Sequence, residues 1–158
     1  MIRLSLVALL ILGVDQVTKL LASIFLKYGE PEPVFSMVAL TLLHNAGAAF
    51  SFLSDAGGWQ RWLFLILALG VTGFCLWSLV FEILNSWLKI GYVLLISGAL
   101  GNAVDRAIFG HVVDFIHLHW GAWSFPAFNI ADMSITFAGI CLLIGWYVDA
   151  RYRSKLQN

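Results

Sequence analysis

Charged side chains are scarce in this chain of 158 residues: only 11% are charged, whereas 61% are hydrophobic. The mean hydropathy is +0.89, which excludes an ordinary soluble domain and indicates a protein that crosses a membrane several times. The formal net charge is zero and no long basic run occurs, so nucleic acid is not an expected partner. The length fits a single domain, residues 1–158.

Cysteine is also rare, and its placement excludes a disulfide framework. Cys75 and Cys141 each lie in the middle of an apolar run, so we interpret them as unpaired, buried packing residues. No small-x-small cleavage site follows the apolar N-terminal run, and apolar residues continue to Phe25. We therefore expect a retained first membrane span rather than a cleaved secretory signal.

Four apolar stretches have the length that a helix needs to cross the hydrocarbon, about 20 residues. They predict spans at about 4–26, 62–81, 88–106 and 130–148. Lys and Arg are more concentrated in the short segments of one side, which predicts cytoplasmic termini and outer segments 27–61 and 107–129. In the third span, Gly98 and Gly101 bound a patch of small residues that lets another helix approach closely.

The first outer segment does not have the pattern of a span. Glu30-Pro31-Glu32-Pro33 breaks any helix, and residues 34–43 are rich in β-forming side chains. Asn45 and Gly47 favour a turn before Phe50-Ser51-Phe52. This pattern predicts a small antiparallel sheet or hairpin on the outer membrane surface.

The second outer segment contains Gly110, Gly121 and Pro126, which favour an outer loop or a short helix that folds back toward the bilayer. No internal repeat is evident along the chain. The predicted fold class is therefore an all-α membrane protein. It has four transmembrane helices, a small periplasmic β-sheet or hairpin subdomain, and an outer loop or short helix after the third span.

Four aspartates lie within or at the edge of apolar segments: Asp15, Asp105, Asp114 and Asp132. A carboxylate near hydrocarbon costs a few kcal/mol or more, so it is usually paired or functional. With a rise of about 1.5 Å per residue, the predicted topology places all four near the outer side of the bilayer. This convergence indicates acid–base chemistry at a membrane surface.

Several of these acids also have a purely structural interpretation. Asp15 and Lys19, four residues apart on one helix face, are spaced to form an ion pair. Asn129 and Asp132 have the spacing of a helix N-cap followed by an acid in the first turn. For both pairs, the structural and the functional interpretation stay open at this point.

The other two acids differ in how well structure explains them. Asp105 lies beside Arg106, and an interfacial salt bridge between them is the simpler interpretation. Asp114 is flanked by apolar residues and has no obvious partner nearby in the sequence. It is therefore the acid that a structural role explains least.

A metal site is the alternative that the histidines suggest, because His-x-His with a nearby carboxylate suits zinc. The candidate ligands are His111, Asp114, His117 and His119. Their spacing matches no familiar metalloprotease pattern such as His-Glu-x-x-His. We interpret the histidines as interfacial side chains in a wet loop, and we expect neither a metal nor a cofactor.

Two other classes of protein compete with an enzyme. A small proton-coupled transporter or channel would use buried acids as a relay across the bilayer. A membrane assembly factor would keep its ion pairs for structure alone. The acids are predicted to gather at one level rather than along a path through the membrane, which favours a surface site.

Five sequence blocks, taken in order, resemble lipoprotein signal peptidase (signal peptidase II) over nearly the whole chain. The blocks are Asp15-Gln16-Val17-Thr18-Lys19, Asn45-Ala46-Gly47-Ala48-Ala49-Phe50, Gly101-Asn102-Ala103-Val104-Asp105-Arg106, Val112-Val113-Asp114-Phe115 and Phe128-Asn129-Ile130-Ala131-Asp132. Each block alone is weak, but five in order at this length are specific. Residues 117–125 match no motif of the family.

The resemblance implies an aspartic endopeptidase of the bacterial inner membrane, with its active site toward the periplasmic face and no cofactor, and we expect a monomer. Its implied partners are membrane lipid and the signal peptide of a diacylglyceryl-modified prolipoprotein, cut on the amino side of the lipidated cysteine. The implied catalytic pair is Asp114 and Asp132. The implied substrate-binding or supporting residues are Asp15, Lys19, Asn45, Gly47, Asn102, Asp105, Arg106 and Asn129.

Overall fold

A computed structural model describes residues 2–47, 53–54, 56–121 and 123–156. Its helices are α1 (Ile2–Phe25), α2 (Trp59–Phe81), α3 (Ser86–Phe109) and α4 (Ile130–Leu156). All four are long and apolar enough to cross a membrane, so the four predicted spans are confirmed. Helix α4 runs beyond the predicted end at 148, because its polar last turns contain no helix breaker.

Helix α3 lies at the centre of the bundle and packs against the other three helices. In its most apolar stretch 61% of the residues are buried, against 11% in α1, 17% in α2 and 22% in α4. The outer three helices therefore turn most of their apolar side chains outward, as expected toward lipid. Both thiols are unpaired, as predicted, and Cys75 is buried; Cys141 is only half-buried, because it lies on the partly exposed helix α4.

Glycines of α3 allow close contact with its neighbours. A Cβ atom added to Gly98 would collide with the carbonyl oxygen of Ala131 on α4. A Cβ atom added to Gly101 would lie 2.6 Å from Asp15 Oδ2 on α1. The small-residue patch thus brings three helices together at one depth, as the sequence predicts.

A small antiparallel sheet extends from one end of the bundle, which confirms that the chain forms a small sheet beside its helices. Its strands are β1 (Glu32–Phe35), β2 (Val38–Asn45), β3 (Val112–Trp120) and β4 (Trp123–Ser124), in the order β1-β2-β3-β4. The segment after α3 is therefore built of strands, where the sequence analysis expects a loop or a short helix. The reason is that residues 112–120 are mostly β-branched, aromatic or otherwise β-compatible and pair along β2.

The hairpin turn of β1 and β2 lies at Ser36 and Met37. The predicted turn after β2 is also present, since the backbone N–H of Gly47 donates to Asn45 Oδ1 at 2.9 Å. Its proposed partner Phe50-Ser51-Phe52 lies outside the described residues, as do the last three residues of the block that begins at Asn45. The hairpin that the structure describes is therefore closer to the N-terminus than expected.

Two reversals of the chain bring β3 against the helices. Gly110, with a φ of 82°, ends α3 and lets its N–H bond the carbonyl of Arg106 at 3.1 Å, so the chain turns back into β3. After β4 the chain returns beside β3, where Phe128 N–H donates to the carbonyl of Ile116 at 3.0 Å. This return places the start of α4 directly beside the beginning of β3.

Candidate active site

Asp114 lies in β3 with only 3% of its surface exposed. Its Oδ1 accepts a hydrogen bond from Asn129 Nδ2 at 2.7 Å, and its Oδ2 accepts one from Asn45 Nδ2 at 3.2 Å. Burial raises the pKa of the Asp114 carboxyl to about 7, and the negative charge of Asp132 adds to the rise. The bonds from the two asparagines oppose it. The result is a carboxyl that gains or loses a proton near neutral pH.

Asp132 lies in the first turn of α4 and is half-buried. Its Oδ1 accepts from Asn102 Nδ2 at 2.7 Å, and its Oδ2 accepts from the backbone N–H of Asn129 at 3.3 Å. In return, Asn129 Oδ1 accepts from the backbone N–H of Asp132 at 2.9 Å. The predicted capping arrangement at Asn129 and Asp132 therefore exists.

Asn129 serves both as that cap and as the contact between the two acids. It is fully buried, and its backbone bonds Asp132 while its side chain bonds Asp114. Its Nδ2 also lies 3.3 Å from Asn102 Oδ1 and 3.3 Å from the carbonyl of Val113. The structural and the functional interpretation of Asn129 are thus compatible.

Lys19 lies at the centre of a second group of buried polar side chains. Its Nζ is 2.9 Å from Asp15 Oδ2, 2.9 Å from Asp105 Oδ2 and 3.0 Å from Asn102 Oδ1. The predicted ion pair within α1 is present, and it extends to α3. Asp105 pairs with Lys19 rather than with Arg106, because α1 brings an ammonium within reach of its carboxylate.

Arg106 instead supports the segment that follows β2. Its Nη2 donates to the carbonyl of Gly47 at 2.6 Å, and its Nη1 lies 3.4 Å from the carbonyl of Asn102. Its guanidinium also lies 5.0 Å from the ring centre of Phe64 on α2. Arg106 thereby fixes the position of the turn that carries Asn45 relative to α3.

The structure adds Gln16, which the sequence analysis did not select. Its Nε2 lies 3.1 Å from Asp15 Oδ2, 3.0 Å from Asp105 Oδ1 and 3.1 Å from the carbonyl of Gly101. The sequence did contain a signal for Gln16, because a polar amide directly beside Asp15 is unusual in an apolar helix. Phe64 was missed as well, and nothing in its apolar surroundings distinguishes it from other residues of α2.

His44, His117 and His119 lie in strands of the sheet, and His111 directly precedes β3. The His44 and His111 rings stack with centres 4.0 Å apart, and burial, with the neighbouring His44 ring, lowers the pKa of His111. His117 lies 3.4 Å from Thr41 Oγ1 and 2.7 Å from Ser124 Oγ. Within the described ranges, no group of three or more His, Cys, Asp or Glu side chains is arranged to hold a metal ion.

The ten candidate residues form one connected group at the end of the bundle that carries the sheet. They are Asp15, Lys19, Asn45, Gly47, Asn102, Asp105, Arg106, Asp114, Asn129 and Asp132. A relay for protons across the bilayer would instead distribute acids along the helices. The arrangement suits chemistry at one level of the membrane, with two carboxyls in contact with the same asparagine.

Comparisons with known proteins show which family the sequence matches. Residues 7–148 match a family model described as signal peptidase (SPase) II. A lipoprotein signal peptidase from Acinetobacter baumannii is 48% identical over 94% of this chain and 85% of its own. Another from Acinetobacter baylyi is 50% identical over 92% of this chain and 82% of its own.

Solved structures give the same result for the fold. A bacterial membrane enzyme determined by the in meso method at 2.3 Å resolution superposes with a TM-score of 0.84. It is 31% identical, and the match covers 94% of this chain and 89% of that one. A second bacterial membrane enzyme, at 1.9 Å resolution, gives a TM-score of 0.78 at 32% identity over 90% of each chain.

Proposed function

This chain belongs to the signal peptidase II family and is therefore a multi-pass membrane peptidase that removes signal peptides from prolipoproteins; we propose that Asp114 and Asp132 perform the cleavage as a proton-sharing pair. In that proposal the enzyme is an aspartic endopeptidase, and the ten residues described above form its active site and its supports. The transporter and assembly-factor interpretations are set aside, because the family is one of peptidases.

The proposed substrate is a diacylglyceryl-modified prolipoprotein, cut on the amino side of the lipidated cysteine. A signal peptide is an apolar helix that lies in the membrane, and the attached lipid keeps the cysteine near the interface. The scissile bond is then at the level where the bundle meets its sheet. The distribution of Lys and Arg supports cytoplasmic termini, and the active site then faces the periplasm.

The chemistry follows from two nearby carboxyls that cannot both ionise cheaply. The ionised partner accepts a proton from water, and the water oxygen bonds the scissile carbonyl carbon while the other carboxyl donates its proton to the carbonyl oxygen. The carboxyl that accepted the proton from water then gives it to the amide nitrogen as the C–N bond breaks. One hydroxyl of the tetrahedral intermediate returns its proton to the other carboxylate, so the amine and the new carboxyl product leave and the pair again holds one proton. Because the pair titrates as a unit, neither Asp114 nor Asp132 is assigned a fixed role as acid or base.

The asparagines orient this pair. Asn45 and Asn129 donate to the two oxygens of Asp114, and Asn102 donates to Asp132. These bonds hold each carboxyl in one rotamer with one oxygen directed at the shared asparagine. Arg106 acts from a distance, since its contact with the carbonyl of Gly47 fixes the turn beside Asn45.

The observation that supports the pairing most directly is the double contact of Asn129. Its side chain lies 2.7 Å from Asp114 and its backbone nitrogen lies 3.3 Å from Asp132. One residue therefore touches both carboxyls, although the two acids are separated along the chain by most of β3, β4 and the start of α4. A pair that shares one asparagine is close enough for the charge of Asp132 to raise the pKa of Asp114.

The test uses purified protein and a prolipoprotein with or without the diacylglyceryl group on its cysteine. We expect mass spectrometry to find cleavage on the amino side of the lipidated cysteine and much slower cleavage of the unmodified substrate. Asp114→Asn should abolish cleavage, whereas Asp149→Asn, whose carboxylate bonds Asn85 outside the candidate group, should retain it. Cleavage at another bond, or equal activity of Asp114→Asn and Asp149→Asn, would contradict the proposal.

A further inference from the structure

Two of the supporting carboxylates bond the backbone immediately before the two catalytic acids. Asp15 Oδ1 accepts from the N–H of Ala131 at 2.8 Å, and Ala131 precedes Asp132. Asp105 Oδ2 accepts from the N–H of Val113 at 3.1 Å, and Val113 precedes Asp114. The backbone directly before each catalytic acid is thus held by a buried carboxylate, that of Asp15 on α1 before Asp132 and that of Asp105 on α3 before Asp114.

The ammonium of Lys19 and the side-chain amide of Gln16 join the carboxylates of Asp15 and Asp105. Lys19 Nζ lies 2.9 Å from an oxygen of each acid. Gln16 Nε2 lies 3.1 Å from Asp15 Oδ2 and 3.0 Å from Asp105 Oδ1. The distance between the two backbone contacts therefore depends on how firmly Lys19 and Gln16 hold Asp15 and Asp105 together.

The charges explain why the amide is needed in addition to the lysine. Asp15 is 0% exposed, Asp105 1% and Lys19 3%, so two buried carboxylates face one ammonium. Buried charge without enough donors is strongly destabilising. The two N–H groups of Gln16 Nε2 are shared among both carboxylates and the carbonyl of Gly101, which lies 3.1 Å away, and they add no charge.

We propose that Gln16 is a positioning residue of the active site. It acts through Asp15 and Asp105 to set the separation of Asp132 and Asp114, and it touches neither the substrate nor the catalytic carboxyls. The inference rests on the proposed function, since it assumes that Asp114 and Asp132 form the catalytic pair.

A positioning role and a merely structural role predict different kinetics. If Gln16 only stabilises the packing of α1 against α3, its loss lowers the fraction of folded enzyme and leaves the pH profile of kcat unchanged. If it sets the separation of the acids, its loss lets them move apart. Their mutual repulsion then weakens, so the acidic and basic limbs of the bell-shaped profile approach each other. The other charges near the pair are those of Lys19 and Asp15 on α1 and of Arg106 on α3, and their sign is the same in both cases.

The experiment compares Gln16→Met, which keeps the side-chain length but has no donor, with the wild type on the lipidated prolipoprotein. We expect kcat to fall about tenfold, the rate equivalent of about one hydrogen bond. KM should stay within about twofold, because uniform substrate binding is untouched, and the pH profile of kcat should narrow. Gln16→Asn is the milder second variant, since its amide is one carbon shorter and reaches Asp105 less well, and its kcat should be intermediate.

Ser23→Ala is the matched control. Ser23 is exposed and lies about two turns beyond Gln16 on α1. Its hydroxyl donates to the carbonyl of Lys19 in its own helix at 2.8 Å, so the kinetics of Ser23→Ala should equal those of the wild type. A wild-type kcat and pH profile in both Gln16 variants would overturn the proposal. So would a loss of activity that merely follows the folded fraction, with an unchanged profile. Failure of the proposed function is distinguishable, because the wild type would then not cleave the substrate or Asp114→Asn would still do so.

Discussion

The buried carboxyl of Asp114 should make the stability of the fold depend on pH, and Asp114→Asn should remove that dependence. In the unfolded chain an aspartate ionises from about pH 4 upward. In the folded protein the pKa of Asp114 is raised to about 7, so the carboxyl stays protonated until near neutral pH. Its contribution to stability is therefore fully present below pH 4, is progressively lost as the pH rises toward 7, and changes little above that.

The size of the effect follows from the shift itself. A rise from 3.8 to about 7 corresponds to roughly 4 kcal/mol of stability lost at high pH, at about 1.4 kcal/mol for each pKa unit. At pH 5 only about 1–2 kcal/mol of this has been lost, because pH 5 is only about one pH unit above the pKa of the unfolded carboxyl and the loss continues until the folded carboxyl ionises near pH 7. The wild type should therefore lose roughly 2–3 kcal/mol between pH 5 and pH 8 through this one carboxyl.

The substitution also carries a cost that does not depend on pH. Asn45 and Asn129 both donate to Asp114, whereas an asparagine side chain offers only one accepting oxygen and turns a donor toward the other partner. The loss of one such bond costs about 1–2 kcal/mol. We therefore expect Asp114→Asn to match the wild type at pH 5 and to be more stable by roughly 2–3 kcal/mol at pH 8.

Thermal unfolding of detergent-solubilised protein at the two pH values measures this directly. For a chain of this size the gain at pH 8 corresponds to a Tm higher by roughly 4–12 °C. Asp149→Asn, at the opposite end of the bundle beside Asn85, controls for the general loss of a carboxylate. A difference between Asp114→Asn and the wild type that is the same at pH 5 and pH 8 would refute the reasoning.

Three further changes test other parts of the site. Lys19→Met leaves two buried carboxylates without their shared ammonium and should lower the free energy of unfolding by about 3–5 kcal/mol in denaturant titration. Gly101→Ala places a Cβ atom 2.6 Å from Asp15 Oδ2 and should cost about 1–3 kcal/mol; Gly139→Ala, with nothing within 4 Å, should not destabilise. Asn45→Ala removes a bond that lowers the pKa of Asp114, so under the proposed mechanism the pH optimum of cleavage should rise.

The spans were predictable from the sequence because hydrocarbon requires long apolar helices and leaves few alternatives. The ends of the spans were less predictable. Helix α4 continues past 148 into a polar stretch, where helix propensity rather than hydropathy determines where the helix ends. The strand β3 was missed as an element, because its pairing with β2 joins residues far apart along the chain. A short apolar segment near several glycines does not reveal such a partner.

The candidate site was predictable as a set of residues but not as a set of contacts. Because Asp105 and Arg106 are adjacent in the sequence, a salt bridge between them was expected. In the folded structure Asp105 instead forms its ion pair with Lys19, and Arg106 donates to the carbonyl of Gly47. Gln16 was overlooked because an uncharged amide costs less in an apolar helix than a carboxylate and therefore stands out less. Only the arrangement of the helices reveals that it lies between two acids.

The most direct test of catalysis by a proton-sharing pair is a double-mutant cycle on the single-turnover rate of cleavage of the lipidated substrate. Residues that act as one unit are not additive when removed. Asp114→Asn and Asp132→Asn should each lower the rate by about a thousandfold or more, and the double variant should be no slower than the slower single variant. A double variant that is slower by the product of the two single effects, or a single variant that keeps near-normal turnover, would contradict the shared role of Asp114 and Asp132.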